Sequence, residues 1–548
     1  MHGRVKIRTS AEQAEARRRE LSKKLKMYRQ LMTEIYDLVD NDPLSEVILN
    51  KTYTILSENS DFSTLWNLRK NVLSSLNENL QEEEMSKYVD SEKSFVLKCL
   101  KENPKSYSLW LHRQFLVSLR PDLTSVSSEL ELCGRLLDMD ERNFHCWDYR
   151  RWLVARDNST VTNEDELQFT VTKLSSNFSN FSSWHYRSKL LEITSKNLEA
   201  HVLTEELGLV RNALYTDPYD QSGWLYYHWL LTPHLQNSET KFEICYLSRK
   251  LQQIILVFPS PMMQETLNAL SVKICGSLSR GVWNTPISYS NASKLWTFSF
   301  ISTSLPPVGS VTIDISGDIT VSLTLESDSE KLLLTNEGDY KIQDVLSNEI
   351  QMLEELQEVE PENKWIIYTM IVFLALANLS DNFEQIESLM RKLKGIDPKR
   401  NGFYSDWHTK LKLKNGLLNN SHSLDLSHSD ISRLLYSELC CVVETCSLSN
   451  NNIRRLNGIQ LFICLKEINV DNNQIKSVEP LSQCRFLRKC SAENNFISSL
   501  NDVMTLQECR LLKYLNLKNN PVIIELNTIT DARDFFPIID QFNDVTYE

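Results

Sequence analysis

Apolar positions between residues 43 and 235 recur as a unit, not as one continuous stripe. Trp66, Trp110, Trp147, Trp184 and Trp224 follow one another at gaps of 44, 37, 37 and 40 residues. Three residues after the first four stand Arg69, Arg113, Arg150 and Arg187. Aliphatic pairs follow at Val72/Leu73, Leu116/Val117, Leu153/Val154, Leu190/Leu191 and Leu230/Leu231. Positions i, i+3 and i+7 share a helix face, so each copy predicts a helix with a Trp-Arg-aliphatic stripe. Upstream of each stripe a second amphipathic segment ends at Glu58-Asn59, Asn103-Pro104, Asp140 to Asn143, Ser176-Asn177 or Asp217-Pro218. Asn or Asp before Pro reads as a helix entry whose side chain caps free N–H groups. The unit is therefore helix, turn, helix. One hairpin cannot bury its own apolar face, whereas stacked hairpins share a core, so the period predicts a helical solenoid. In that reading Trp fills the seam, and Arg lies on its stem and bonds a helix-end carbonyl or an acid; both are architecture. The fifth copy has Tyr227 and His228 around the Arg position and reads as a terminal repeat with altered neighbours.

The pattern changes on both sides of this array. Residues 1 to about 42 predict a charged helix with a sparse apolar face, Leu21, Leu25, Tyr28 and Met32, beside a basic cluster that reads as solvated. From about 240 the period falls to two. Val311 to Ile315 and Ile319 to Leu325 alternate around Ser316-Gly317-Asp318, a hairpin, and Trp296, Phe298 and Phe300 alternate likewise. Helical spacing resumes at 341–415, where Ile396-Asp397-Pro398 before Trp407 resembles a sixth, degenerate hairpin entry. The last 130 or so residues carry a leucine-rich repeat, with Ser429, Asn451, Asn473, Asn495 and Asn520 at gaps of 22, 22, 22 and 25. Each asparagine is expected to satisfy the backbone of the adjoining turn. The expected fold is mainly α: a superhelical solenoid of helical hairpins with a small inserted β-sandwich-like (Ig/C2-like) domain and a C-terminal leucine-rich-repeat domain. Its expected boundaries are 1–240 and 341–417 for the helices, 241–340 for the β insert and 418–548 for the leucine-rich repeats.

Composition narrows the function. The formal charge of −13 disfavours nucleic acid as a partner. Twelve cysteines show no CxxC pair or metal-site spacing, which suits reduced core thiols in a cytoplasmic protein. The opening residues lack an apolar secretory region, and the longest apolar run, Trp365 to Leu379, is shorter than a membrane span needs. Dinucleotide, P-loop, serine-hydrolase and HExxH motifs are missing, so any reaction is expected to be completed by another chain. One copy stands apart: Lys105 beside Tyr107 in the entry of the Trp110 hairpin.

Asn103-Pro104-Lys105-x-Tyr107-x-x-Trp110-x-x-Arg113 and Asn143-Phe144-x-x-Trp147-x-x-Arg150 resemble the protein prenyltransferase α-subunit repeat. The likeness covers about 43–235 and returns near 397. The β insert, the leucine-rich repeats and the opening stretch MHGRVKIRTSAEQAEARRRE resemble, within that family, the α subunits of Rab (type II) geranylgeranyltransferases. The resemblance implies an obligate subunit, inactive alone, of an enzyme that moves geranylgeranyl from its diphosphate to C-terminal cysteines of Rab GTPases presented by a Rab escort protein. It implies a barrel-type β subunit as partner and zinc carried by that subunit. Lys105 and Tyr107 fall on the family's residues near the prenyl diphosphate and substrate. Asn143 and His145 occupy the matching loop of the next repeat and are candidates for the same surface. Ser106 and Ser108 stand where other members carry larger polar residues. His2, on a free end, is a remote candidate for a partner's zinc. The other readings are a farnesyl or type I α subunit and a non-enzymatic solenoid scaffold, which has no need of Lys105 in that entry.

Overall fold

The computed structural model describes residues 11–156, 161–194, 200–235, 243–248, 251–268, 271–274, 277–286, 292–301, 309–315, 319–325, 331–334, 340–420, 422–523, 536–537, 539–543 and 545–546. His2 and the Ser316-Gly317-Asp318 turn lie outside them. The chain forms two compact units, 1–200 and 201–548.

Unit 1 is helical, with α1 (Ala11–Asn41), α2 (Val47–Glu58), α3 (Ser63–Asn79), α4 (Glu82–Glu102), α5 (Tyr107–Leu119), α6 (Val126–Met139), α7 (Phe144–Arg156), α8 (Asn163–Ser176) and α9 (Phe181–Thr194). Each repeat tryptophan is buried, and its indole N–H donates to the carbonyl six residues earlier. The pairs are Trp66 to Ser60 (2.9 Å), Trp110 to Pro104 (2.8 Å), Trp147 to Glu141 (2.8 Å) and Trp184 to Phe178 (2.8 Å). A residue too large to leave in water thus also closes its own helix entry.

The repeat arginines are structural, as their spacing suggested. Arg113 makes two hydrogen bonds to Glu129 (2.7 and 2.9 Å), and Arg150 makes two to Glu166 (2.8 and 2.5 Å). Arg69 grips Glu92 the same way. The remaining guanidinium nitrogen reaches a carbonyl: Leu49 for Arg69, Lys93 for Arg113, Leu130 for Arg150 and Leu167 for Arg187. A third group, from the second helix of the carboxylate's own hairpin, completes it, with Tyr149 on Glu129 (2.8 Å) and Tyr186 on Glu166 (3.0 Å). On Glu92 that place is taken by His112 (2.9 Å), fully buried and with no partner on its other ring nitrogen. Burial alone would raise the Glu92 carboxyl, but hydrogen bonds from His112 and Arg69 outweigh it and hold it at about 2.

Two expectations are revised here. The Asn/Asp signals mostly close the preceding helix. Asp140 Oδ1 accepts from the Arg142 N–H (3.3 Å), and Asn177 Oδ1 from the Ser179 N–H (2.9 Å). Asn103 turns away from α5, and its amide bonds Ser60 (3.2 Å) and Asp61 (3.1 Å) of the previous turn. True entry caps sit four residues before Trp, at Asn143 and Asn180. On α1, Tyr28 and Met32 are half-buried while Leu21 and Leu25 are exposed. The Tyr28 hydroxyl donates to the Ile55 carbonyl (3.4 Å), and Lys24 pairs with Glu58 (3.1 Å), the last residue of α2.

Unit 2 opens with α10 (Ala200–Thr216) and α11 (Gln221–Leu235), where Trp224 again donates to its i−6 carbonyl, Pro218 (2.9 Å). The chain then enters β1 (Ile244–Ser248), β2 (Gln253–Met263), α12 (Gln264–Asn268), β3 (Ser271–Ile274), β4 (Ser277–Leu278), β5 (Gly281–Asn284), β6 (Ala292–Phe300), β7 (Gly309–Ile315), β8 (Ile319–Leu325) and β9 (Lys331–Leu334). These form two sheets, β5-β6-β2-β1-β9 and β4-β3-β7-β8, and the expected hairpin pairs Ile315 with Ile319. Helices resume as α13 (Tyr340–Val359), α14 (Lys364–Asn378), α15 (Phe383–Ile396) and α16 (Asn401–Asn419).

The fifth copy is not terminal. Glu349 of α13 accepts Tyr227 (2.5 Å) and pairs with Arg211 of α10, while Asn363 donates to Pro218 (2.7 Å). The hairpin after the insert therefore stacks on the one before it. The apolar run forms α14, burying Ile366, Ile367, Met370, Ile371, Phe373 and Leu374, and no described helix is long and apolar enough to cross a membrane.

The leucine-rich turns give parallel strands β10 (Ser423–Asp425), β11 (Thr445–Ser447), β12 (Glu467–Asn469), β13 (Lys489–Ser491), β14 (Tyr514–Asn516) and β15 (Gln541–Phe542). The asparagine ladder is present: Asn451, Asn473, Asn495 and Asn520 accept from Ile431, Ile453, Ile475 and Ile497 and donate to carbonyls of the earlier turn. Each follows an asparagine in the left-handed region, Asn450, Asn472, Asn494 or Asn519, which that side chain tolerates better than most. Ile244, Tyr246, Ile255, Val257 and Leu295 of the insert share one core with Leu413 and Leu417 of α16 and the first repeat turns.

Arg150→Met leaves Glu166 buried without its cation, so it is expected to destabilise unit 1 by about 3–5 kcal/mol in denaturant unfolding; Arg150→Met/Glu166→Met is expected to recover part of that loss.

Candidate functional site

The turn between α4 and α5 carries Lys105 and Tyr107, and the next hairpin grips it from one side. Pro104 is the fixed point: its carbonyl accepts both the Trp110 indole (2.8 Å) and the Asn143 amide (2.9 Å). Asn143 is 2% exposed, and its oxygen caps α7 through the His145 (3.1 Å) and Cys146 (3.4 Å) N–H groups. It builds the site rather than facing it. Ser106 is also buried and donates to the Ser60 carbonyl (3.3 Å), so it packs the turn against its predecessor.

Lys105, Tyr107 and His145 come together on the surface. The Tyr107 ring, 66% exposed, meets His145 edge-on at 4.2 Å between centroids. His145 is nearly buried. Desolvation holds its imidazole below the usual histidine range, while the Asp148 charge and the contact with the Lys105 backbone oppose that only in part. The Lys105 ammonium extends into solvent and lies 3.4 Å from an Asp140 carboxylate oxygen at the end of α6.

One member was not anticipated. Phe144 is 51% exposed, 3.9 Å from His145 and 6.2 Å from Tyr107. Tyr107, Phe144 and Phe181 each stand three residues before the repeat tryptophan and each stays exposed, a register visible in the sequence once the tryptophans are aligned. A flexible ammonium beside an exposed aromatic floor can receive an anionic group attached to an apolar one. Among the described residues no group of three or more His, Cys, Asp and Glu is arranged to hold a metal, and the eleven described cysteines are buried free thiols.

The family model for the protein prenyltransferase alpha subunit repeat matches residues 89–120, 126–157, 163–194 and 203–232. The geranylgeranyl transferase type-2 subunit alpha of Bos taurus is 34% identical over 465 residues, spanning 80% of this chain and 81% of that one. Its Homo sapiens counterpart is 33% identical over 466 residues, with the same coverage. The chain belongs to the geranylgeranyl transferase type-2 alpha-subunit family. A shorter relative of that name from Dictyostelium discoideum is 38% identical over 235 residues, 42% of this chain and 75% of its own. Among solved structures, Candida albicans protein geranylgeranyltransferase-I complexed with GGPP aligns at 24% identity over 39% of this chain and 70% of that one, with a TM-score of 0.34.

Four hairpins of this chain are thus matched by the family model. The Trp66 hairpin, outside the matched residues, contributes Arg69 to the same seam chemistry, gripping Glu92 of the first matched repeat. The candidate site falls at the junction of the first two matched repeats, in residues 103–145. NMR titration of the His145 ring protons is expected to give a midpoint below the ordinary value of 6.5, leaving a neutral ring at pH 7; a midpoint at or above 6.5 contradicts the desolvated placement.

Proposed function

We propose that this chain is the α subunit of a heterodimeric Rab geranylgeranyltransferase, inactive alone, that transfers geranylgeranyl from its diphosphate to C-terminal cysteines of Rab GTPases presented by an escort protein. The observation that carries the reading is the exposed pair Lys105 and Tyr107, the latter packed on the buried His145 of the next hairpin, in a chain of the type-2 alpha-subunit family.

Breaking the lipid's C–O bond moves negative charge onto the leaving diphosphate. An ammonium already in place favours that charge more in the transition state than in the ground state, which is the condition for raising the rate. Lys105 is proposed to supply it. Tyr107 and Phe144 offer apolar rings next to the ammonium, where the first isoprene units leave the diphosphate. His145, its imidazole held by desolvation below the usual histidine range, packs against the Tyr107 ring and is not the source of positive charge.

The rest of the catalytic apparatus is assigned to a barrel-type β subunit: the isoprenoid pocket and a zinc ion that activates the substrate cysteine thiol. Cytoplasmic location is part of the same reading.

Co-expression with such a β subunit is expected to give a stable heterodimer that prenylates escorted Rab, while this chain alone shows no turnover. A purified pair that modifies short CaaX peptides without an escort protein would remove the type-2 assignment. In the heterodimer, Lys105→Ala is expected to lower kcat at saturating lipid by about 10- to 1000-fold, the range for loss of one transition-state charge contact, without dissociating the subunits. An unchanged rate takes Lys105 out of the mechanism.

A further inference from the structure

We infer that Asp140 is the resting counter-ion of Lys105, displaced when a diphosphate arrives. This deepens the reading of Lys105 given above and rests on it. The ammonium is 3.4 Å from Asp140 Oδ2, with the lysine side chain 65% exposed and the aspartate 34% exposed. The two residues belong to different hairpins, and the same pair of turns is already joined by Asn143 to Pro104 and by the His145 ring to Tyr107. Asp140 is held from behind: its other oxygen accepts the Arg142 N–H (3.3 Å), and its backbone carbonyl accepts the Asn143 N–H (3.1 Å). The neighbouring ions are engaged elsewhere. Glu141 accepts the Asn177 amide (2.6 Å), Arg142 donates to the Ser179 carbonyl (2.8 Å), and Asp148 pairs with Arg151. The carboxylate therefore has a fixed position, and the long lysine stem supplies the movement.

Such a pair has a definite effect on an anionic ligand. Asp140 cancels part of the field of Lys105 at the place a diphosphate would occupy and repels the incoming charge. Diphosphate binding must separate the two, so the pair weakens the hold on substrate and, equally, on the released diphosphate. An ion pair this exposed changes such an equilibrium by up to about five-fold. Asp140 is a positioning residue: it sets where Lys105 waits and how firmly the site holds an anion.

The test uses the heterodimer and inorganic diphosphate as the probe, by calorimetry, with D140N, K105A and the double variant. Asparagine keeps the oxygen that caps Arg142, so the unfolding midpoint is expected to stay put. D140S, which also retains an acceptor oxygen, is the second variant should D140N fold poorly. D140N is expected to bind diphosphate about three- to five-fold tighter, and to lower KM for the lipid diphosphate without raising kcat, the sign of uniform tightening. In the K105A background the same change is expected to give a clearly smaller gain, the part that comes from removing repulsion. Unchanged or weaker binding by D140N overturns the counter-ion role, and so does a gain of equal size without Lys105, which assigns it to Asp140 repulsion alone. If K105A itself matches wild type in both binding and rate, it is the assignment of Lys105 to the diphosphate that fails.

Discussion

Each seam of unit 1 turns on a carboxylate that has left water. Glu92, Glu129 and Glu166 are buried, and an isolated charge there would cost several kcal/mol. Each is made tolerable by a two-point grip from the arginine of the hairpin before it and one hydrogen bond from the second helix of its own hairpin. Two successive hairpins thus meet at each carboxylate, which is satisfied only when they are stacked in register. Aliphatic neighbours such as Leu136 and Leu153 supply the burial but would tolerate small slips. The ionic seam does not, because a displaced hairpin strands a charge.

The surface chemistry inherits that rigidity. With the seam fixed, the indole bond from Trp110 pins the Pro104 carbonyl, and Asn143 adds a second donor from the neighbouring hairpin. The backbone around Lys105 is thus held at both its covalent and its lateral sides, while the side chain carries no structural duty beyond an exposed ion pair. A mobile charge on an immobile base is what a site needs when the charge must follow a leaving group over a short distance.

Much of this was legible from spacing. The tryptophan and arginine stripe, the split of the solenoid by strands and the asparagine ladder all repeat at fixed offsets, and repetition survives without coordinates. The acids were not legible. Glu92, Glu129 and Glu166 lie among many other acidic residues of exposed helix faces, and only burial separates them. Helix entry was partly misread because Asn and Asp serve two adjacent roles in these turns, closing one helix at Asn177 and opening the next at Asn180. At the candidate site, Tyr107 packs on His145 and Lys105 reaches Asp140, whereas Asn143 is consumed by backbone. Phe144 was overlooked because an aromatic in a helix-rich repeat suggests core, and its exposure belongs to the tertiary arrangement.

The same seam appears once more in unit 2, with a difference in chain distance. Tyr227 and Arg211 meet Glu349 across separations of 122 and 138 residues, where the corresponding partners in unit 1 are 16 to 23 apart. Closing a loop of that length adds only a modest entropic cost, growing with its logarithm, so stability is little affected. Speed is another matter, since folding slows as contacts become less local. Unit 1 can assemble hairpin by hairpin from neighbours already made. The last seam of unit 2 has to wait until the chain after the strands has been synthesised, so α10 and α11 spend that interval with Tyr227 and Arg211 unpartnered by Glu349. On the ribosome, the Glu349 seam is therefore closed after the hairpins of unit 1 have already stacked.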